Sequence, residues 1–374
     1  MGVRTLNRSR NNRKDLDIYQ EQAVGSSAPR SAHNKRPLWY WPACTLIVLM
    51  LTELMLIGTV FIRFGSSINY QAVPIVSAPE SSSGAIALPD LDADAPTDGT
   101  AAEDDEAGYN LDVGETPIYK KDPIDSNVIN ILVLGLDTRT PGGNGRSDVN
   151  MIVSIDRKNN TIKLASMLRD TLVPIEGHDY NRLNTCYLFG GPGLSINTVN
   201  SIYDMDIQRY VKVDFFAIMD IVDAVGGVDI ELTSAEASYM REHGYNGVSR
   251  GAGEKHLSGE EALYYARIRH LDSDFGRTQR QRNVVEAALK SVRKMGLVKA
   301  LDLMNKLLPQ VMTNISTNEM VSLATDVIGM SGDMDQVSLP AKGTYTGKYY
   351  KKMAILAVDF EENTKILHEF LYGP

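Results

Sequence analysis

The sequence is short of the residues that carry several common kinds of chemistry. It has two cysteines in 374 residues, Cys44 and Cys186. Cys44 lies inside a long apolar run and Cys186 far beyond it, so the two do not pair. That excludes a disulfide framework and a four-cysteine zinc site. Histidine is equally sparse, with six in the chain. His178, His243, His256 and His270 show neither H-x-H nor H-x-x-x-H spacing, which argues against a zinc site. No G-x-S-x-G elbow and no G-x-x-x-x-G-K-[ST] loop is present, so neither a serine hydrolase nor a P-loop kinase is supported. Basic charge is in deficit overall, with 38 Lys and Arg against 47 Asp and Glu and a net charge of -9. Such a balance does not suit a protein built to coat nucleic acid. There is no internal repeat.

What charge there is sorts by segment. Residues 1–37 carry Arg4, Arg8, Arg10, Arg13, Lys14, Arg30, Lys35 and Arg36 against Asp15, Asp17 and Glu21, without hydrophobic periodicity, and read as a disordered basic tail. Residues 38–64 form an apolar stretch opened by Trp39, Tyr40 and Trp41, long enough for a bilayer, which needs about 20 residues. The aromatic triplet suits a headgroup boundary, and the basic tail places the N-terminus in the cytoplasm and the remainder outside, in a single-pass cell-membrane protein. The run is too long for the apolar part of a cleaved signal peptide. Glu53, near its middle, is expected to be protonated, paired, or simply tolerated by a Leu- and Met-rich helix. Residues 65–126 hold Pro74, Pro79, Pro89, Pro96 and the acidic run Glu103-Asp104-Asp105-Glu106 and read as a flexible stalk with a solvated charge run.

At Val128 the texture changes to Val-Ile-Asn-Ile-Leu-Val-Leu-Gly, a continuous apolar run of strand length, as expected of a strand covered on both faces. The folded domain is therefore expected over 127–374. Residues 150–156 and 161–167, joined by Arg157-Lys158-Asn159-Asn160, predict a hairpin. Helices are expected over 195–203 and 217–225, the second stopped by Gly226-Gly227, with a strand over 210–215 between them. Ser258-Gly259-Glu260-Glu261 is a capping box that opens a short helix before Arg267. A long helix follows over 276–295. The alternation predicts an α/β domain, a central mixed sheet flanked by helices. The part after Leu297 adds helices and a strand near 336–339, and carries no recognisable chemistry.

Three clusters do carry chemistry. In the first, Asp137 follows the end of a buried strand, and the glycine-rich loop Pro141-Gly142-Gly143-Asn144-Gly145 leads to Arg146-Ser147-Asp148. Asp137 and Asp148 are candidate hard-oxygen ligands for magnesium, which binds through one or two carboxylates while keeping waters and recruiting phosphate. The alternative is a pair of turn-forming aspartates bonded to their own backbone. The second cluster is Arg169-Asp170, at the end of the hairpin's second strand, either facing the first cluster or forming a surface ion pair. The third runs from Tyr265 to Gln281 and beyond, with Arg267, Arg269, Arg277, Arg280 and Arg282. Arg267 and Arg269, two apart, would share one face of a strand. Arg277, Arg280 and Gln281 would share a helix face near its N-terminus, where anions are favoured. Arginine matches phosphate by planar bidentate geometry, so the cluster reads as a pyrophosphate clamp, or failing that a solvated basic face. It lacks a nucleic-acid-binding motif.

Taken in order, Leu134-Gly135-Leu136-Asp137-Thr138-Arg139, Arg146-Ser147-Asp148, Arg169-Asp170, Asn184, Gly190-Gly191, Val225-Gly226-Gly227-Val228-Asp229, Leu257 through Arg269, and Gly276-Arg277 with Arg280-Gln281 closely resemble the LytR-CpsA-Psr family. The resemblance covers about 130–296. It implies a membrane-anchored phosphotransferase that moves a wall polymer, such as a teichoic acid or capsular polysaccharide, from a polyprenyl-pyrophosphate carrier to peptidoglycan. It further implies a deep apolar pocket for the polyprenyl tail and magnesium at the pyrophosphate. By the same resemblance Asp137 and Asp148 would be associated with Mg2+, while Arg146, Arg169, Arg267, Arg269, Arg277 and Gln281 would bind pyrophosphate. Arg169, Arg267, Arg269 and Asp274 would be catalytic, with Asp274 activating the acceptor. Met167-Leu168 stands where the family commonly has a proline before the arginine. Two other readings stay open: a non-catalytic polyprenyl-phosphate sensor acting as a transcriptional attenuator, and a pyrophosphatase on the same lipid.

Overall fold

The computed structural model describes residues 69–79, 86, 88, 89, 91, 115–138 and 145–373. The basic tail, the apolar run 38–64 with Glu53 and Cys44, the acidic run at 103–106 and the loop glycines 142 and 143 lie outside the described residues.

The main sheet has seven strands among the described residues: β1 (Asn69–Tyr70), β2 (Val128–Leu136), β3 (Ser147–Asp156), β4 (Thr161–Met167), β5 (Arg209–Asp214), β6 (Met312–Thr313) and β7 (Met334–Leu339), in the order β1-β6-β5-β2-β3-β4-β7. It is mixed: β2 runs parallel to β5 and antiparallel to β3, and β4 runs antiparallel to β3 and parallel to β7. The expected hairpin is therefore present, its turn closed by Asn160 at φ 54°. The apolar run of β2 is continuous because side chains alternate between two covered faces. Leu132, Leu134 and Leu136 enter one core, Ile129 and Ile131 the other. Each such side chain, when fully buried, contributes about 1.5–3 kcal/mol.

The first core is closed by α1 (Thr185–Tyr203) and a C-terminal helix, Phe360–Tyr372. The second is closed by Leu301 and Leu308 and by the helix Thr317–Gly329. A third cluster joins the ribbon Val228–Leu232/Gly253–Leu257 to the helices Ser234–Glu242, Gly259–Arg267 and Asp274–Met295. The fold is thus the expected central mixed sheet with helices on its faces. Cys186 is buried in the first core as a free thiol, and burial pushes its pKa up to about 12, which leaves it inert.

Two expected boundaries move for physical reasons. Within the segment read as a flexible stalk, residues 69–79 and 115–126 belong to the fold: β1 joins the sheet, Ile75–Val76 pairs with Ile118–Tyr119, and Val73 and Ile118 are buried in the first core. The helix is expected from residue 195, yet α1 already starts at Thr185 and is kinked at Gly190 and Gly191, whose backbones are not helical. Gly191 at φ 66° and the missing Pro192 N–H interrupt the ladder, and side chains on both sides of the kink are buried. Residues 116–118 cross the helix at this point: Thr116 N–H donates to Gly190 O at 3.2 Å, and Asn197 Nδ2 donates to Pro117 O at 2.8 Å.

The crossing is close enough that a Cβ on Gly193 would sit 1.8 Å from Thr116 O. Gly193→Ala is expected to cost about 1–3 kcal/mol through overpacking, read as a lower denaturant midpoint for the purified chain; an unchanged midpoint would contradict the crossing.

Candidate functional site

Strand direction decides which residues can meet. Because β2, β4 and β5 run the same way and β3 against them, Asp137 after β2, Asp148 at the start of β3, Arg169 after β4 and Phe215 after β5 all lie at one edge of the sheet. Loops at strand ends are where α/β sheets display reactive groups.

At the centre is Asp148. Arg169 Nη1 donates to both of its oxygens, at 3.1 and 2.9 Å, and Arg269 Nη2 donates to Oδ2 at 3.0 Å. Arg169 Nε faces two more carboxylates, Asp170 Oδ2 at 3.5 Å and Asp274 Oδ2 at 3.7 Å. Asp274 is also paired with Arg277 Nη2 at 3.2 Å, and Asp170 with Arg182 Nε at 3.6 Å. Burial works against the Arg169 charge, but Asp148, Asp170 and Asp274 outweigh it and hold the guanidinium above its ordinary value. Burial and the charge of Arg169 push Arg277 the other way. Of the acid pair, burial raises Asp170, whereas Arg277, the hydrogen bond to Asp170, and Arg169 overcome burial and lower Asp274. Arg169 Nε and Arg277 Nε and Nη1 are buried donors without a hydrogen-bond acceptor among the described residues.

Beside this cluster, Asp137, Tyr239, Tyr264, Arg267, Arg269 and His270 line a cavity of about 380 Å³. Asp137 is exposed, and its N–H donates to Arg146 O at 3.4 Å, closing the loop between them. Arg267 lies over the Phe215 ring, 4.5 Å from its centroid, a cation–π contact that ties the cavity to the end of β5.

The structure corrects the strand reading of Arg267 and Arg269. The helix opened by the Ser258–Glu261 capping box runs on to Arg267 as its last residue, and Arg269 lies two residues past it. Both arginines reach the same cavity, but by a helix end and a loop rather than a strand face. The shared-face reading of Arg277, Arg280 and Gln281 also needs correcting. Arg280 is buried, donating to Asp272 at 2.9 and 2.7 Å, Glu236 Oε1 at 3.2 Å and Ile268 O at 2.7 Å. It is a structural tie that fixes the loop carrying Arg269. Gly276 is part of this tie, since a Cβ there would lie 2.2 Å from the Asp272 carboxylate. Arg282 is buried too, with Gln336 and Gln279 as partners and its pKa lowered to about 10 by burial. Gln281 is half-buried and makes no hydrogen bond to the Asp148 cluster among the described residues.

The sequence carries no signal for Arg182, Tyr239 or Tyr264, and points to Asp170 only as the neighbour of Arg169. The place of the tyrosines depends on how two helices pack. Asp137 and Asp148 offer hard oxygens near each other's strand ends, a donor chemistry that suits magnesium, although a cation would have to take an Asp148 oxygen from an arginine. No group of three metal-binding side chains occurs among the described residues.

A profile of the LytR_cpsA_psr family matches residues 99–367. The chain belongs to this family. Among its relatives is the polyisoprenyl-teichoic acid–peptidoglycan teichoic acid transferase TagU of Bacillus subtilis (strain 168), 33% identical over 241 residues, which are 63% of this chain and 74% of TagU. The crystal structure of B. subtilis TagV aligns with a TM-score of 0.54 at 30% identity, covering 66% of this chain and 98% of TagV. The structure of TagT bound to LIIa-WTA aligns with a TM-score of 0.56 at 26% identity, covering 67% and 94%. As a family member the chain shares the fold of these relatives.

The two kinds of arginine are separable by stability. Arg280→Met, which strands Glu236 and the half-exposed Asp272, is expected to destabilise the domain by about 3 kcal/mol, whereas Arg269→Ala should change it by less than about 1 kcal/mol. Thermal unfolding of both variants checks this, and equal losses would overturn the division.

Proposed function

We propose that the protein transfers a phosphoglycan, such as a teichoic acid or other wall polysaccharide, from a polyprenyl-pyrophosphate carrier to peptidoglycan. The observation that carries this reading is the convergence of Arg169, Arg269 and Arg277 at one sheet edge, with buried donors that an anion of several oxygens would satisfy. Family membership and the printed activity of TagU, transfer of teichoic acid to peptidoglycan, supply the cargo and the acceptor.

The diphosphate is held by Arg169, Arg269 and Arg277, with Arg267 and Arg146 at its outer side and Gln281 further along the same helix. Fixed guanidiniums stabilise the charge that gathers on the lipid phosphate as its bond to the glycan phosphorus breaks, and positioning does most of the remaining work. Asp148 keeps Arg169 and Arg269 from rotating away. Asp274, on the Arg169 Nε side, stands where the acceptor hydroxyl can lose its proton. Magnesium, held by Asp137 and Asp148, would neutralise phosphate charge. The polyprenyl tail would enter the apolar layer between the sheet and α1, whose side chains are packed against one another here and would have to part. We place the domain outside the membrane, tethered by the apolar run 38–64, on the strength of the charge asymmetry around it.

Arg169→Ala and Arg269→Ala are each expected to cut transfer of labelled glycan from a synthetic lipid pyrophosphate by about 10²–10³-fold, the loss typical of one donor to a developing anion. Full activity in either variant would sink the clamp. Chelation should abolish transfer and added Mg2+ restore it, with Asp137→Asn needing more Mg2+; activity indifferent to chelator would remove the metal from the account.

A further inference from the structure

The C-terminal hairpin, which the sequence leaves without any chemistry, walls a second cavity of about 380 Å³. Its strands are Tyr345–Tyr350 and Met353–Val358. The cavity is lined by Leu168, Asp170, Asp274, Phe275, Tyr349 and Leu356 among others. Backbone bonds fix the hairpin to the arginine cluster: Leu356 N–H donates to Asp170 O at 2.9 Å, and Arg182 Nε donates to Ala354 O at 2.9 Å. The Phe275 ring leans against Tyr345 of the hairpin with centroids 5.3 Å apart.

Arg169 stands between the two cavities. Its Nη1 holds Asp148, which is shared with Arg269 of the first cavity, and its Nε faces Asp170 and Asp274 of the second. The second cavity does not suit a diphosphate, because two carboxylates, Asp170 and Asp274, line it against a single cation, Lys348. Nor does it suit a polyprenyl tail, which would leave those carboxylates against hydrocarbon. A neutral, polyhydroxylated ring fits both features. Its C–H face can lie on Phe275 and Leu356, and its hydroxyls can donate to carboxylates, which when ionised only accept.

Resting on the phosphotransfer reading, we infer that this second cavity is the acceptor subsite, binding a pyranose of the acceptor glycan with its attacking hydroxyl directed at the Asp170–Asp274 pair. The hydroxyl oxygen then forms its bond to the glycan-bearing phosphorus while the bond from that phosphorus to the bridging oxygen breaks. The bonding electrons leave with the polyprenyl monophosphate, and the hydroxyl proton passes to the acid pair. Phosphoryl transfer favours in-line displacement, so the acceptor would enter from the Nε side of Arg169 and the lipid phosphate leave on the other. Burial raises Asp170 while, against burial, Arg277 and the hydrogen bond from Asp170 lower Asp274, so the proton between the two acids belongs to Asp170 and Asp274 is the one that accepts.

The test uses the full chain with a lipid-pyrophosphate-linked disaccharide as donor and soluble, uncrosslinked peptidoglycan glycan strands as acceptor. Phe275→Ala removes the stacking ring. Gly347→Trp fills the cavity from the hairpin, where an added Cβ meets nothing within 4 Å. Each variant is expected to raise KM for the glycan strands about tenfold while leaving KM for the lipid donor within about twofold. An intact donor KM also reports a folded domain. Acceptor KM values equal to wild type, or donor and acceptor KM rising together, would overturn the acceptor subsite and leave the transfer reading standing. A wild-type chain that consumes the lipid donor without modifying the strands would overturn both.

Discussion

The site depends on one carboxylate held by two guanidiniums. Asp148 lies on β3, Arg169 just after β4, and Arg269 in a loop about a hundred residues further on, and the three meet within 3.1 Å. Without Asp148 the arginines would repel one another and no longer have a common anchor. Four guanidiniums, Arg169, Arg182, Arg269 and Arg277, face three carboxylates, Asp148, Asp170 and Asp274, so one positive charge remains in surplus. A surplus charge among partly buried donors is an environment that an anionic ligand stabilises, and the lowered pKa of Arg277 reflects the same strain of burial and like charge.

The rest of the fold serves to bring these groups to one edge. Alternating apolar residues on β2 cover both faces of the sheet and fix strand directions, which put Asp137, Asp148, Arg169 and Phe215 side by side. The capped helix ending at Arg267 and the Arg280 tie to Asp272 and Glu236 set the loop of Arg269 from the opposite flank. The C-terminal hairpin is bonded directly to the backbone of Asp170, so the acid side of the cluster is as firmly positioned as the basic side.

Much of this was legible in the sequence, and the failures have identifiable causes. The strand at Val128, the Asn160 turn and the Ser258 capping box are local signals that held, whereas the Pro-rich composition that read as a stalk did not, since Val73 and Ile118 find partners in the core that only tertiary packing supplies. The two-residue spacing of Arg267 and Arg269 misled because periodicity indicates a shared face only within one element, and a helix end falls between them. Arg280 and Arg282 looked like phosphate ligands because their partners are set by tertiary packing: Glu236 is 44 residues away from Arg280 and Gln336 54 from Arg282. The role of the hairpin at 345–358 was invisible for the same reason, since its residues gain meaning only from what they stand against.

The account's central claim, transfer rather than hydrolysis, is tested most directly by following the reaction by phosphorus NMR and mass spectrometry in heavy-oxygen water. It predicts equal amounts of polyprenyl monophosphate and of a phosphodiester joined to the peptidoglycan strand, neither containing heavy oxygen. Heavy oxygen in a released glycan phosphate, with the strands unmodified, would contradict it.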